Sequence, residues 1–313
     1  MKKKALLIAL AVVAVLLLLA VILWLTADRT DTVGICFRES TNSENTAYRQ
    51  QLQDALIKQG FEVIVMDADG DQVKQIQQIG KMAQKKCDVL LIEPVMKGAA
   101  EELLSAIAET QLPAVLFDRQ IDTQLLANYP QISYIGWDEK ECGQLQAQLM
   151  MELPDGGDLN GDGAVSYILL CGPADHQDAI ARTEGFEATL ENARQLSAEN
   201  VDCTVDGGRR ICKQQLAAYG KDIEVVVCGN DQMAVGAAQA IADGGRTVGK
   251  DIYLLAIGGE GDTLQMVERG EISGTVYRDM AVQIDTIAQT VLAKFQEQSV
   301  QPVQILPYTT AEN

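Results

Sequence analysis

FEVIVMDADGDQVKQIQQIGKMAQKKCDVLLIEP, residues 61–94, decides how this chain folds. Residues 61–68 and 88–94 place apolar side chains at consecutive positions, the mark of strands covered on both faces, as in a parallel sheet. Between them, DQVKQIQQIGKMAQKK repeats apolar residues at helical spacing and closes on a basic pair. The unit is βαβ, and the rhythm continues in both directions. Upstream lie VGICF (33–37) and the helical TAYRQQLQDALIKQG; downstream come the helical KGAAEELLSAIAETQ and the strands PAVLFDR (113–119) and SYIGW (133–137). A helix over 144–153, the strand SYILLCG (166–172), a helix over about 179–194 and the segment DCTVDGG (202–208) follow. IEVVVCGN (223–230), the helix DQMAVGAAQAIADGG, IYLLAIGG (252–259), the helical TLQMVERG, GTVYRD (274–279) and a last helix to about residue 298 complete the series. So many strands exceed one sheet of ordinary width, so the spacing predicts two doubly wound lobes. Ligand-facing loops then lie at strand C-terminal ends, and two facing lobes form a cleft.

The start of the chain reads differently. After Lys2, Lys3 and Lys4, residues 5–26 are uncharged and apolar nearly throughout, long enough at about 1.5 Å per residue to cross a hydrocarbon core of about 30 Å. The lysines stay on the cytoplasmic side by the positive-inside bias, which places everything after about Asp28 outside. A cleaved signal segment is the alternative, although only Leu25-Thr26-Ala27 resembles a cleavage site.

A formal charge of −19, from 25 Lys+Arg against 44 Asp+Glu, repels phosphate backbones and excludes a nucleic-acid partner. Seven cysteines cannot all pair within the chain, and no Cys-x-x-Cys or Cys/His cluster is present; Cys203 and Cys212 are near enough in sequence to join, with buried free thiols the plainer reading. Catalytic patterns are missing as well. No G-x-S-x-G elbow or Walker loop occurs, and GGEGDT (258–263) lacks the third glycine of a dinucleotide turn, so the chain is read as a non-enzyme.

Two stretches carry binding chemistry. DLNGDGAVS (158–166) spaces Asp158, Asn160 and Asp162 as in a calcium loop, with Gly163 for the sharp turn, the Ala164 carbonyl and Ser166 next in the series. The position of the closing glutamate is Leu169, so the loop is either completed from elsewhere or is an unoccupied Asx turn. GPADHQDAIAR (172–182) leaves a strand and enters a helix carrying His176, Asp178 and Arg182, whose donors and acceptors suit the hydroxyls of a polyol. Asn230 stands at a second strand-to-helix exit. Helix capping and plain exposure are the alternatives at both exits.

These residues resemble the galactose/glucose-binding proteins of bacterial sugar ABC transporters, in the type I periplasmic-binding-protein superfamily. The likeness covers nearly all of the chain after Val33. It rests on DLNGDG before a strand, on His-x-Asp-x-x-x-Arg at His176, Asp178 and Arg182, on IEVVVCGND (223–231), and on ERGEISGTV before Tyr277. It implies a three-strand hinge near Trp137, Tyr277–Arg278 and Leu306–Tyr308, with a first lobe of 33–136 plus 279–305 and a second of 137–278 plus 306–313. Residues 1–27 precede these as anchor or signal, with 28–32 as linker. It also implies that Glu224 completes a Ca2+ site with Asp158, Asn160, Asp162, Ala164 and Ser166. In the sugar site it carries over His176, Asp178, Arg182 and Asn230, while other family positions fall on Glu93, Gly259 and Arg278. The two sugar-stacking aromatics fall on Ser43 or Glu44, beside Asn42, and near Arg210. Asn42, Glu93, Arg210 and Arg278 are therefore taken as contacts, and the three arginines 182, 210 and 278 suggest an acidic group on the ligand. The expected protein is a membrane-tethered, outward-facing, monomeric solute-binding protein that hands a sugar or sugar derivative to a permease; a sensor serving a histidine kinase or chemoreceptor is the alternative.

Overall fold

Thr32–Phe37 (β1) is buried at every position, which is why its sequence shows no polar alternation. The computed structural model describes residues 30–39, 43–259 and 261–313, without the side chains at 43–45 and 97. The apolar segment 5–26 and Asn42 lie outside the described residues, and among these no helix is long and apolar enough to cross a membrane. After β1 come Ser43–Lys58 (α1), Glu62–Asp67 (β2), Gln72–Gln84 (α2), Val89–Ile92 (β3), Ala100–Glu109 (α3), Ala114–Asp118 (β4) and Ile132–Gly136 (β5). The chain continues through Glu139–Glu152 (α4), Val165–Cys171 (β6), Gln177–Thr189 (α5), Ala193–Asn200 (β7), Val205–Tyr219 (α6), Val225–Cys228 (β8) and Asp231–Asp243 (α7). Tyr253–Gly258 (β9), Thr263–Glu268 (α8), Gly274–Tyr277 (β10), Met280–Phe295 (α9), Val303–Ile305 (β11) and Thr309–Glu312 (β12) complete it.

Two six-stranded sheets result, ordered β11-β5-β4-β3-β1-β2 and β12-β10-β9-β8-β6-β7. The first is parallel throughout; the second is parallel apart from the β10–β12 pair. In each sheet the order reverses beside its first strand, β1 or β6, where a doubly wound fold opens a crevice at the strand C-termini. The chain passes between the sheets after Gly136, after Tyr277 and after Ile305. Aspartates cap the helices that follow the first two passages. Asp138 accepts from Lys140 N at the start of α4, and Asp279 accepts from Ala281 N and Val282 N at the start of α9. Caps of this kind are worth about 1 kcal/mol each.

Three apolar clusters form the core. One fills the outer face of each sheet; the third runs from β1 and α1 through Trp137 and Tyr308 into β6, β9 and β10, tying the two sheets together at the passages. There the Trp137 and Tyr308 rings lie 6.5 Å apart, and the Arg278 guanidinium sits 4.7 Å from the Trp137 ring centre, a cation–π contact. None of the seven cysteines forms a disulfide, and five of them are buried; Cys203 is exposed while Cys212 lies inside a core cluster, so the two are not joined.

Three stretches depart from the sequence reading. β2, expected to be covered on both faces, is an edge strand with no buried position, and the helix expected over 144–153 already begins at Glu139. The helix expected to reach residue 194 ends at Thr189, and the strand is Ala193–Asn200 rather than the segment 202–208, which forms the turn and first residues of α6. β7 is an edge strand with mostly exposed or half-buried side chains, so ARQLSAEN lacks the apolar run by which buried strands are recognised.

Candidate functional site

The C-terminal ends of strands from both sheets face one cavity of about 170 Å3, lined by Arg38, Asp118, Arg119, Gln120, Glu139, His176, Asp178, Arg182 and Arg278. Arg38 follows β1, Asp118 to Gln120 end β4, and Glu139 opens α4 just past the first passage. His176, Asp178 and Arg182 lie at the start of α5, and Arg278 follows β10 in the second passage. Asp118 has φ of 63°, left-handed backbone that few residues other than glycine, asparagine and aspartate adopt without cost. Its carbonyl accepts a hydrogen bond from the Tyr134 hydroxyl at 3.1 Å, and its carboxylate meets Arg278 Nη1 at 3.1 Å.

Glu139 is the electrostatic centre of the cavity. Its Oε2 receives Arg182 Nε at 2.6 Å, and its Oε1 receives Arg278 Nη2. Burial raises the Glu139 carboxyl, but Arg278 and then Arg182 outweigh it and hold the group below the ordinary carboxylate range. Both guanidiniums lie above their ordinary range; burial opposes this, and Glu139 is the main carboxylate that overcomes it. Behind Arg38, Glu93 takes the Arg38 backbone N–H at 3.1 Å and its Nε at 3.3 Å. Burial, followed by the nearby Asp118 charge, pushes Glu93 up. Arg119 donates to the Val95 carbonyl.

Glycines set the position of the Glu139–Arg182 pair. A Cβ on Gly143 would stand 1.9 Å from the Arg182 carbonyl oxygen, and one on Gly185 would stand 2.1 Å from the Lys140 carbonyl oxygen. Helices α4 and α5 therefore meet backbone to backbone, one turn from the residues that pair. No larger residue allows so close an approach.

Of the sequence candidates, His176, Asp178, Arg182 and Arg278 meet in the cavity wall, with Glu93 directly behind. His176 is exposed at the N-cap position of α5, where its side chain makes no capping bond. Asn230 caps α7 through Met233 N, while Asp231 accepts Gly259 N. Arg210 is not brought in. It is exposed on α6, 3.9 Å from Asp202, so arginines 182, 210 and 278 do not form the anion-binding group expected of them. Arg38, Asp118, Arg119, Gln120 and Glu139 were missed, although Arg38 directly follows the strand VGICF and FDR closes the strand PAVLFDR, the ends where ligand contacts lie. Among the described residues, none that lines the cavity is aromatic.

The loop 158–166 was expected to hold calcium. Asp158 accepts the N–H groups of Gly161, Asp162 and Gly163, Asn160 accepts that of Asp162, and Asp162 that of Ala164. These backbone donors, Gly163 foremost, hold Asp158 below the ordinary carboxylate range. Glu224 does reach the loop, as the resemblance implies. Its two oxygens, however, accept the N–H groups of Leu159, Asn160 and Ser166 at 2.7–2.9 Å. Arg194 Nε donates to the Ser166 hydroxyl at 3.2 Å. Among the described residues no three His, Cys, Asp or Glu side chains gather as a metal-holding group. Calcium needs six to eight oxygen ligands, whereas here backbone N–H dipoles already engage Asp158, Asn160, Asp162 and Glu224, and a guanidinium engages the Ser166 hydroxyl. The residues present do not fit the ion.

Comparison with known proteins agrees with the architecture. The chain is 27% identical over 269 residues to the D-galactose/methyl-galactoside binding periplasmic protein MglB of Haemophilus influenzae, covering 82% of this chain and 79% of that one. It is 26% identical over 250 residues to the galactofuranose-binding protein YtfQ of Escherichia coli, covering 78% and 76%. A solved periplasmic solute binding protein of an ABC transporter from Actinobacillus succinogenes, with bound D-allose, matches with a TM-score of 0.77 at 16% identity, over 90% of this chain and 98% of that one, a likeness of fold alone. Residues 33–299, from β1 past the end of α9, match the periplasmic binding protein domain family, and the chain belongs to it.

Proposed function

We propose that this protein is an extracellular sugar-binding component of an ABC transporter, tethered by residues 5–26, whose two sheets close on an uncharged monosaccharide or polyol. One observation carries the reading: a cavity of about 170 Å3 at the strand C-termini of both sheets, walled by nine polar side chains in which guanidinium donors lie beside carboxylate acceptors. Hydroxyl groups both donate and accept, so they match such a wall. The names of the relatives, which refer to galactosides and galactofuranose, support the same class. The absence of a ring among the described residues of the wall favours a ligand without a broad apolar face over a stacked pyranose. The membership of the family and the missing catalytic patterns support binding without chemistry.

A thermal-shift screen of the full chain against pentoses, hexoses, furanose sugars, inositols and sugar alcohols tests the proposal. At least one neutral compound should raise the melting temperature by several degrees and be recovered unaltered. A flat screen, or a chemically changed compound, would overturn it.

A further inference from the structure

Glu139 is 3% exposed yet lines the cavity, and each of its oxygens holds a different arginine. Two guanidiniums facing a partly desolvated cleft would by themselves form a receptor for a carboxylate or phosphate. Glu139 cancels that tendency. With it, among the described residues, the cavity and the residue behind Arg38 hold four arginines (38, 119, 182, 278) against four carboxylates (Glu93, Asp118, Glu139, Asp178). Asp178 acts on Glu139 in the opposite sense to the arginines, so an added anion would meet two carboxylates on this side of the cleft.

We infer that Glu139 sets the charge class of the ligand: by occupying Arg182 and Arg278 it makes the cleft accept uncharged hydroxyl-rich solutes and reject their acids and phosphates. The inference rests on the sugar-binding reading above. It acts through the two arginines, so Glu139 is a positioning residue for them as well as part of the wall.

Calorimetric titration of the full chain in detergent with D-galactose against D-galacturonate, and D-ribose against ribose 5-phosphate, tests it, with D-galactosamine as the cationic probe. Wild type should bind a neutral member at least tenfold more tightly than its anionic partner. Glu139→Gln should shift that ratio tenfold or more towards the anion, and Glu139→Asp should keep the neutral preference. Arg278→Gln, which leaves a carboxylate in excess, should shift the ratio towards D-galactosamine, and it decides the matter if Glu139→Gln does not fold by circular dichroism. Unshifted ratios in the variants, or an anionic preference in wild type, overturn the role of Glu139 alone. Failure of wild type to bind any member, together with a flat thermal-shift screen of the neutral sugars and polyols, removes the sugar-binding reading and this inference with it.

Discussion

Glu224 illustrates how one side chain can answer to two readings. Its sequence position suits a metal ligand, but in the fold it is 1% exposed and collects three backbone N–H groups of the loop 158–166. Replacing it by glutamine sets an amide N–H against backbone N–H and should cost about 2–3 kcal/mol. The melting temperature of Glu224→Gln should fall equally in calcium and in chelator; a fall seen only with calcium would restore the metal. Glu139 gives a pH test. Its carboxyl is held below the ordinary range in the fold, so its stabilisation is complete above the unfolded value of about 4.3 and is lost as pH falls through the lower folded value. Stability measured by denaturant from pH 6 to pH 2 should therefore drop less steeply in Glu139→Gln than in wild type. At this scale the sequence was partly legible. His176, Asp178 and Arg182 stood out because they share one strand exit, whereas Glu139 falls ahead of the helix expected over 144–153, and only the fold puts it in a first turn with Arg278 of the second passage beside it.

The contact between α4 and α5 belongs to the next scale. Gly143→Ala or Gly185→Ala inserts a methyl group where a carbonyl oxygen lies about 2 Å away, so the helices must separate at a cost of about 1–3 kcal/mol. Because Glu139 and Arg182 ride on these helices, both variants should weaken sugar binding as well as stability, read by calorimetry and thermal melting. Asn230→Ala should cost about 1 kcal/mol through the lost cap on α7. Asn230→Asp should keep the cap, so any loss of affinity in that variant reports ligand contact. Elements buried on both faces were legible from their apolar runs. β7 was not, because ARQLSAEN carries no apolar run, whereas the other sheet's edge strand β2 does carry one although none of its positions is buried; and neither β11 nor β12, of three and four residues, is long enough to declare a period.

Across the whole molecule, three passages joined by Trp137, Arg278 and Tyr308 leave one rotation as the easy motion between sheets. Arg278 touches Asp118 at the end of the first sheet and Glu139 at the start of α4 on the second, so closing would compress a network already built from both sides. Small-angle X-ray scattering should show a smaller radius of gyration when a bound neutral sugar is added, and no change with a sugar the protein does not bind. The two-sheet architecture was legible because strand count alone exceeds a single sheet. The charge balance of the cleft was not, since it depends on partners 139 and 160 residues apart in sequence.

The lack of disulfides bears on where this protein can work. Burial pushes the Cys36, Cys142 and Cys212 thiols up to about 12, so at neutral pH they are protonated, poorly nucleophilic and shielded from oxidants. No cross-link contributes to the fold. Folding yield and ligand affinity are accordingly expected to be the same in dithiothreitol as in air, which frees an exported binding protein from any oxidising machinery on the far side of the membrane.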